Sequence, residues 1–322
     1  MESSPFLSRD GLLRARELLA GKVHRTPVLS AQSLNRISGA QLFFKAENFQ
    51  KVGAFKFRGA MHALAQLDPG ERARGVLTHS SGNHAQALAL AARIYGIPAW
   101  IVVPSSAPAV KRTAVESYGA EVITCEPTLE ARERTAEEVQ ARTGASFIHP
   151  YNDPRIIAGQ ATAAMELLED KPELELLLAP VGGGGLLSGT ALASRYFAGG
   201  SRVLGAEPAG AADAARSLEM GSIQPSEHPN TIADGLLTSL GSWTFPIIQQ
   251  HVDQILTVSE ESIIAALRLL WERMKIVVEP SGAVPLAAVL EHPQLFQGKR
   301  VGLILSGGNV DLAQAGEWFG KK

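Results

Sequence analysis

Short apolar segments alternate with helical segments along most of the chain, and this alternation is the feature that most constrains its fold. Gly75 to Thr78, Ala99 to Val103 and Leu174 to Val181 have the composition of buried strands, and a segment of helical periodicity follows each of them. Apolar strands that are joined through helices form parallel sheets covered on both faces. The sequence therefore predicts an α/β fold.

A break in the alternation near Tyr151 to Pro154 indicates two domains, each a mainly parallel, twisted sheet covered by helices. We predict that residues 1–66 and 154–322 form a large domain. Residues 67–153 are predicted to form a small domain that contributes the carboxylate-binding loop of a cleft. The chain has 322 residues, of which 45% are hydrophobic, so it is long enough to bury a large core.

The composition excludes several classes of protein. The formal net charge is -2 and no basic run with interleaved aromatic residues occurs, so no nucleic-acid partner is expected. Cys125 is the single cysteine, which excludes a disulfide framework and a multi-cysteine metal site. No apolar stretch approaches the roughly 20 residues that span a bilayer, and the N-terminus has no apolar signal region. We therefore expect a cytoplasmic enzyme with no membrane partner.

The segment KVGAFKFRGA places Lys56 between Phe55 and Phe57, at the start of a predicted helix. A lysine in apolar surroundings loses the water that favours its ammonium form, so its amine becomes a candidate nucleophile. This is the chemistry of a Schiff-base lysine that joins the aldehyde of pyridoxal phosphate (PLP). Taken alone, the segment also fits a surface lysine whose stem covers apolar neighbours. Loops elsewhere in the chain decide between the two interpretations.

Two loops between a strand and a helix carry groups that suit anions. One loop is predicted to bind a substrate carboxylate at a helix N-terminus through Ser80, Ser81, Gly82, Asn83 and His84. The other loop is Gly182, Gly183, Gly184 and Gly185, followed by Leu186. Four glycines let backbone N–H groups approach an anion closely. Because the loop lacks the dinucleotide and P-loop spacings, a single phosphate fits it better than a pyrophosphate.

A third loop follows the last predicted strand, where Ser306 precedes two glycines. Its hydroxyl is a neutral hydrogen-bond partner for a ring nitrogen. An amine nucleophile, a phosphate loop, a carboxylate loop and this serine together meet the requirements of PLP acting on an amino acid. A serine cannot hold the ring nitrogen as a pyridinium, so expulsion of a β-leaving group competes well with other reactions.

On these motifs the chain resembles the serine racemase and serine/threonine dehydratase family, PLP enzymes of fold type II with a tryptophan-synthase-β-like fold. The motifs occur in order from KVGAFKFRGA through THSSGNHAQAL, PVGGGGLLSG, GAEP and WERMKIVVEPSGA to LSGGNVDL. The resemblance implies that Lys56 is the Schiff-base lysine and that Phe55 lies against the cofactor. It further implies that Asn83 binds the pyridoxal hydroxyl oxygen, Gly182 to Leu186 bind the phosphate and Ser306 binds the ring nitrogen.

The resemblance also implies a reaction. The expected activity is that of an ammonia-lyase, which eliminates water from L-threonine, L-serine or threo-3-hydroxyaspartate to give a keto acid and ammonia. The loop at Ser80 and Ser81 resembles the racemase version of its motif, so Ser81 is the expected acid/base on the face opposite Lys56. Inversion at Cα needs one proton-transfer group on each face. The alternatives are a predominant serine or aspartate racemase and a PLP-dependent β-replacement enzyme. A non-catalytic regulatory protein that binds PLP or a nucleotide and an NAD-dependent enzyme are further alternatives, and the sequence has no dinucleotide fingerprint for the latter.

Further sites follow from the same resemblance. Glu207, Asp213 and the carbonyl of Ala211 resemble the divalent-cation site of the family, and such oxygen ligands suit Mg²⁺, with Ca²⁺ or Mn²⁺ as alternatives. The chain also carries Lys51, Gln86, Tyr118 and Asn309 where animal serine racemases bind ATP, whereas Val52 replaces the threonine of that pattern. A homodimer is the family expectation.

Overall fold

The structure is a computed structural model, which describes residues 4–80, 82–106 and 109–320. Its strands are β1 (Val28–Leu29), β2 (Gln41–Ala46), β3 (Val76–His79), β4 (Ala99–Pro104), β5 (Glu121–Cys125), β6 (Ser146–Phe147), β7 (Leu176–Pro180), β8 (Arg202–Pro208), β9 (Gln254–Val258) and β10 (Arg300–Leu305). Its α-helices are α1 (Arg9–Leu19), α2 (Gln32–Ser38), α3 (Lys56–Ala65), α4 (Pro69–Arg74), α5 (Asn83–Tyr95), α6 (Ala109–Ser117), α7 (Leu129–Thr143), α8 (Pro154–Asp170), α9 (Gly185–Phe197), α10 (Asp213–Met220), α11 (Thr244–His251), α12 (Glu260–Leu269), α13 (Pro280–Glu291), α14 (Pro293–Phe296) and α15 (Leu312–Gly320).

The chain divides into two compact units. The smaller unit contains the residues up to Val23 together with Lys56–Gly159. The larger unit contains His24–Phe55 and the residues from Gln160 onwards. The compact units thus divide the chain after Val23, before Lys56 and after Gly159. The predicted domain boundaries after residues 66 and 153 stay a prediction.

The smaller unit contains a parallel four-stranded sheet in the order β5-β4-β3-β6. Its register places Val76 opposite both Ala99 and Ser146. Leu77 and Val102 are buried in the core below α7. Because β3 ends at His79, the predicted carboxylate loop begins directly at the carboxyl end of this strand.

The larger unit contains a six-stranded sheet in the order β1-β2-β10-β7-β8-β9, in which only the short β1 runs antiparallel. Leu178, Leu303 and α13 contribute to its buried core. Parallel strands bring their carboxyl ends to one edge of a sheet, where such folds bind ligands. In this sheet that edge carries the glycine loop after β7, the end of β8 and Ser306 after β10.

The prediction of mainly parallel sheets covered by helices is confirmed. A short π-helical turn, Leu270–Met274, was not predicted, because its sequence continues the helical pattern of α12. Within the described residues, no helix is long and apolar enough to cross a membrane.

Candidate active site

Lys56 is the first residue of α3 and lies in the smaller unit. Its side chain is half-buried, and its Nζ donates a hydrogen bond to the carbonyl oxygen of Pro150 at 2.8 Å. The neighbouring Phe57 is completely buried, and the apolar surroundings of the amine stay a prediction. The amine is therefore held at a defined position at the beginning of the helix.

The predicted carboxylate loop leads into α5, which begins at Asn83. Ser80 N donates to Val102 O at 3.1 Å, and Gly82 N donates to Ser80 Oγ at 3.3 Å. A helix leaves its first N–H groups without helical partners, so the start of α5 suits an anion. Ser81 lies outside the described residues, and its predicted proton-transfer role stays a prediction.

His84 lies in the same loop and is almost completely buried, with 2% of its surface exposed. Its Nε2 lies 3.2 Å from the carbonyl oxygen of Ile148, so Nε2 carries the proton and donates this hydrogen bond. Burial and the positive charge of Lys56 lower the pKa of His84 well below its usual value. In this state Nδ1 is an acceptor, so a carboxylate would be bound by backbone N–H groups and not by Nδ1.

His149 is a second neutral imidazole near Lys56. Its Nδ1 accepts hydrogen bonds from the backbone N–H groups of Tyr151 at 3.3 Å and Asn152 at 2.9 Å. Burial, followed by the charges of His79 and Lys56, lowers the pKa of His149 to about 4. The sequence did not single out His149, since a histidine after a short strand carries no motif of its own.

In the larger unit, the glycine loop turns the chain from β7 into α9. Gly184 has a left-handed φ of 88° and caps the helix. A Cβ on Gly184 would lie 2.8 Å from Leu240 Cδ2, and a Cβ on Gly182 would lie 2.8 Å from Leu236 Cα. The first helical hydrogen bond runs from Ser188 N to Gly184 O at 2.8 Å. Earlier N–H groups of the loop are therefore available to a phosphate at a helix N-terminus.

Thr244 supports the glycine loop through hydrogen bonds, and no sequence pattern predicted this role. Its Oγ1 donates to Gly183 O at 2.8 Å and accepts from Gly241 N at 2.8 Å. Thr244 is completely buried. No spacing in the sequence links a threonine at the start of α11 to a loop after β7, so only the fold reveals this contact.

Ser306 follows β10 and is buried, with 3% of its surface exposed. Its carbonyl oxygen accepts a hydrogen bond from the N–H of Phe55 at 3.0 Å. Because Phe55 directly precedes Lys56, this hydrogen bond connects Ser306, the predicted partner of the ring nitrogen, to the backbone next to Lys56. The side chain of Phe55 is half-buried.

The two predicted metal-binding acids are completely buried in the larger unit. Glu207 accepts hydrogen bonds from Ala214 N and Ala215 N, both at 3.0 Å, at the start of α10. Neither oxygen of Asp213 makes a hydrogen bond of good geometry to another described residue. Burial raises the pKa of Glu207 to about 8 and that of Asp213 to about 6, although the nearby Ser226 hydroxyl opposes the shift at Asp213.

Such acids fit a bound cation, which would supply the positive charge that their buried anionic forms require. Ala211 ends a short 3-10 turn, Ala209–Ala211, between the two acids in sequence, and is buried. The set contains only two acidic side chains. No group of three or more His, Cys, Asp or Glu side chains suited to a metal occurs in the part of the chain that the structure describes.

Comparison with known proteins agrees with this chemistry. Residues 19–307 match the family model described as pyridoxal-phosphate dependent enzyme. The chain is 49% identical over 303 residues to the beta-hydroxyaspartate dehydratase of Paracoccus denitrificans (strain Pd 1222), covering 94% of this chain and 96% of that protein. It is 51% identical over 302 residues to the serine racemase of Arabidopsis thaliana, covering 92% of this chain and 91% of that protein.

A solved structure shows the same fold. The maize serine racemase superimposes with a TM-score of 0.93 at 45% sequence identity, covering 97% of this chain and 96% of that chain. The chain therefore belongs to the family of pyridoxal-phosphate dependent enzymes. Its relatives at about half identity over most of their length include both lyases and racemases.

Proposed function

We propose that this protein eliminates water from a β-hydroxy amino acid, giving a keto acid and ammonia, and that it also racemises serine. The observation that carries the proposal is the similarity, over nearly the whole chain, to both a beta-hydroxyaspartate dehydratase and a serine racemase. The substrates proposed for elimination are threo-3-hydroxyaspartate, L-serine and L-threonine.

The residues present fit PLP. Gly182 and Gly184 let the loop pack closely against Leu236 and Leu240, where a Cβ would come within 2.8 Å, and the loop leads into a 13-residue helix whose N-terminus suits a phosphate. We propose that the loop from Gly182 to Leu186 holds the phosphate and that Lys56 carries the cofactor covalently. Ser306 would then bind the ring nitrogen.

Two further residues complete the proposed cofactor site. Phe55 would lie against the ring, and Asn83 would bind the pyridoxal hydroxyl oxygen. Asn83 begins α5, so its position is fixed by the helix.

When bound, PLP withdraws electrons from Cα of the amino acid and so makes the α-proton acidic. Lys56 Nζ would accept this proton. In elimination the bond from Cβ to the hydroxyl oxygen would then break, the proton taken up by Lys56 Nζ would leave with the hydroxyl as water, and the released enamine would hydrolyse to keto acid and ammonia. In racemisation Ser81 would instead donate a proton to the opposite face of Cα.

The substrate carboxylate is proposed to bind at the start of α5, through the loop from Ser80 to His84. Support comes from the helix N-terminus and from the buried His84, whose Nε2–H is committed to Ile148. This leaves the backbone N–H groups and the serine hydroxyls of the loop to bind the carboxylate.

A divalent cation, Mg²⁺ in the first place and Ca²⁺ or Mn²⁺ as alternatives, is proposed at Glu207, Asp213 and the carbonyl of Ala211. The two buried carboxyl groups support it. We also propose a homodimer located in the cytoplasm. ATP is proposed as an effector at Lys51, Gln86, Tyr118 and Asn309. Within the larger unit, Asn309 Nδ2 donates to Val52 O at 2.7 Å, and Val52 has a left-handed φ of 57°.

The test incubates PLP-loaded protein with L-serine, L-threonine and L-threo-3-hydroxyaspartate, with and without Mg²⁺. Keto acid and D-enantiomer are measured separately. We expect keto acid from at least one substrate and D-serine from L-serine. Ser81→Ala is expected to abolish racemisation and to retain part of the elimination. Absence of keto acid from all three substrates would overturn the proposed elimination.

A further inference from the structure

The loop from Ser306 to Asn309 pairs with the segment that enters Lys56. Phe55 N donates to Ser306 O at 3.0 Å, and Gly308 N donates to Gly53 O at 2.9 Å. Between these two hydrogen bonds, Ala54 and Gly307 form an isolated antiparallel bridge. The position of this loop therefore fixes the backbone up to the residue before Lys56.

The opposite side of the same loop is held by Glu279, which precedes α13 and is 3% exposed. The N–H of Glu279 donates to Gly307 O at 3.0 Å. Its Oε2 accepts a hydrogen bond from Asn309 N at 3.2 Å. One buried residue thus binds the loop through its backbone and through its carboxylate.

Gly307 is a glycine because of this carboxylate. A Cβ on Gly307 would lie 2.6 Å from Oε1 and 2.9 Å from Cδ of Glu279. Gly307 does not have a left-handed φ, so its backbone conformation alone would accept alanine. The space that a side chain at position 307 would need is occupied by Glu279.

We propose that Glu279 is a positioning residue, which holds the loop so that Ser306 and the segment entering Lys56 keep the geometry that PLP binding requires. This inference rests on the proposed function, in which Ser306 binds the ring nitrogen and Lys56 carries the cofactor. Burying a carboxylate is unfavourable unless its oxygens accept hydrogen bonds, and here the loop backbone supplies one of them. Glu279 acts through its shape and its acceptor oxygen, so glutamine is a conservative replacement.

The experiment is a double-mutant cycle of Glu279→Ala and Gly307→Ala, with PLP titrated into each apoprotein and binding followed by the visible absorbance of the bound cofactor. Each single variant is expected to weaken PLP binding by about tenfold or more, since each removes or displaces a buried hydrogen-bond acceptor. The double variant is expected to bind no more weakly than Glu279→Ala, because Cβ of residue 307 then enters vacated space. Multiplied losses in the double variant would overturn the proposal.

Two further variants separate positioning from charge and from general destabilisation. Glu279→Gln is expected to restore most of the PLP affinity and the wild-type absorbance maximum, and a loss equal to that of Glu279→Ala would contradict the positioning role. Glu166→Gln is the matched control, because Glu166 is also a buried carboxylate of the larger unit and pairs with Lys45 at 2.6 Å. It is expected to lower the melting temperature of the apoprotein without shifting the absorbance maximum, whereas Glu279→Ala shifts it.

The outcomes also separate this inference from the proposed function. Wild-type protein that fails to bind PLP would overturn the proposed function and this inference with it. Wild-type binding together with unchanged affinity and absorbance in Glu279→Ala would overturn this inference alone.

Discussion

The side-chain amine of Lys56 donates a hydrogen bond to the carbonyl oxygen of Pro150 at 2.8 Å. A carbonyl oxygen accepts from a neutral amine as well as from an ammonium group, so this contact survives the loss of the proton that a nucleophilic lysine must undergo. His84 and His149 near the amine are kept neutral by burial, with the pKa of His149 lowered to about 4. They therefore add no positive charge next to Lys56 at neutral pH.

Gly184→Ala is expected to destabilise the protein by about 2–5 kcal/mol, combining left-handed strain with overpacking. The φ of Gly184 is 88°, and its Cβ would meet Leu240, Ile248 and Thr244 at 2.8–2.9 Å. Urea denaturation measures the loss, and PLP affinity should fall with it. The control is Gly199→Ala, where a Cβ would meet nothing within 4 Å. Equal stability of the two variants would contradict the assignment of strain to Gly184.

The buried pair of Lys45 and Glu166 is expected to stabilise the larger unit without taking part in the reaction. Lys45 Nζ lies 2.6 Å from Glu166 Oε2 and also donates to Thr26 O at 2.7 Å. Lys45→Met alone should lower the free energy of unfolding by about 3–5 kcal/mol, because it leaves a buried carboxylate without its counter-charge. Lys45→Met combined with Glu166→Leu should recover most of this loss. A double variant that is less stable than Lys45→Met would contradict the view that the loss comes from an uncompensated charge on Glu166.

His149 is expected to make a contribution to the free energy of unfolding that is lost as the pH falls from 6.5 to about 4. Burial lowers the pKa of His149 from 6.5 to about 4, so in this range the unfolded chain binds a proton that the folded chain does not. The contribution of His149 to the free energy of unfolding therefore rises with pH across this window and is fully present above pH 6.5, whereas the raised pKa values of Glu207 and Asp213 give contributions of the opposite sign. The loss of this contribution at the acid end amounts to at most about 3.4 kcal/mol.

His149→Asn tests this contribution, because an asparagine Oδ1 can accept the hydrogen bonds from Tyr151 N and Asn152 N that Nδ1 accepts. Urea denaturation at a series of pH values should give a smaller slope for this variant. His228→Asn is the control, since His228 is exposed and has a left-handed φ of 49° that asparagine tolerates. An unchanged slope in His149→Asn would assign the pH dependence to other groups.

Divalent cations are expected to raise the melting temperature of the wild-type protein. At a cation concentration 100-fold above Kd, the stabilisation would be about 2.7 kcal/mol. Asp213→Asn should abolish the effect, because it removes one of the two buried carboxylates. Asp311→Asn, a substitution of an exposed acid before α15, should retain it. A cation response that persists in Asp213→Asn would place the cation elsewhere.

Local sequence patterns were sufficient for the sheets and for the glycine loop. Apolar segments such as Leu176–Pro180 are buried strands. Four adjacent glycines between a strand and a helix suggest a phosphate-binding loop even when the fold is unknown. Thr244 and Glu279 could not be found in this way. Each acts on a loop that is distant in sequence, through a contact that exists only after the strands have been placed in order.

Gly307 shows that a sequence motif can be visible while the reason for it is not. Two glycines after Ser306 read as a turn that clears space for a ligand. In the structure the space at Gly307 is occupied by the carboxylate of Glu279, which is a packing requirement within the larger unit. A glycine in a motif indicates that a side chain would not fit at that position, but it does not identify the ligand or protein group that occupies the space.

Borohydride reduction of the PLP-loaded protein determines whether Lys56 carries PLP. Reduction fixes the cofactor to the amine that it occupies, and mass spectrometry of peptides then locates it. We expect a pyridoxyl group on Lys56 of the wild-type protein and no such group in Lys56→Ala. Lys299→Ala is the control and should retain the label on Lys56, because Lys299 precedes β10 at the opposite end of the strand from Ser306. A pyridoxyl group on another lysine, or wild-type levels of label in Lys56→Ala, would show that Lys56 does not carry the cofactor.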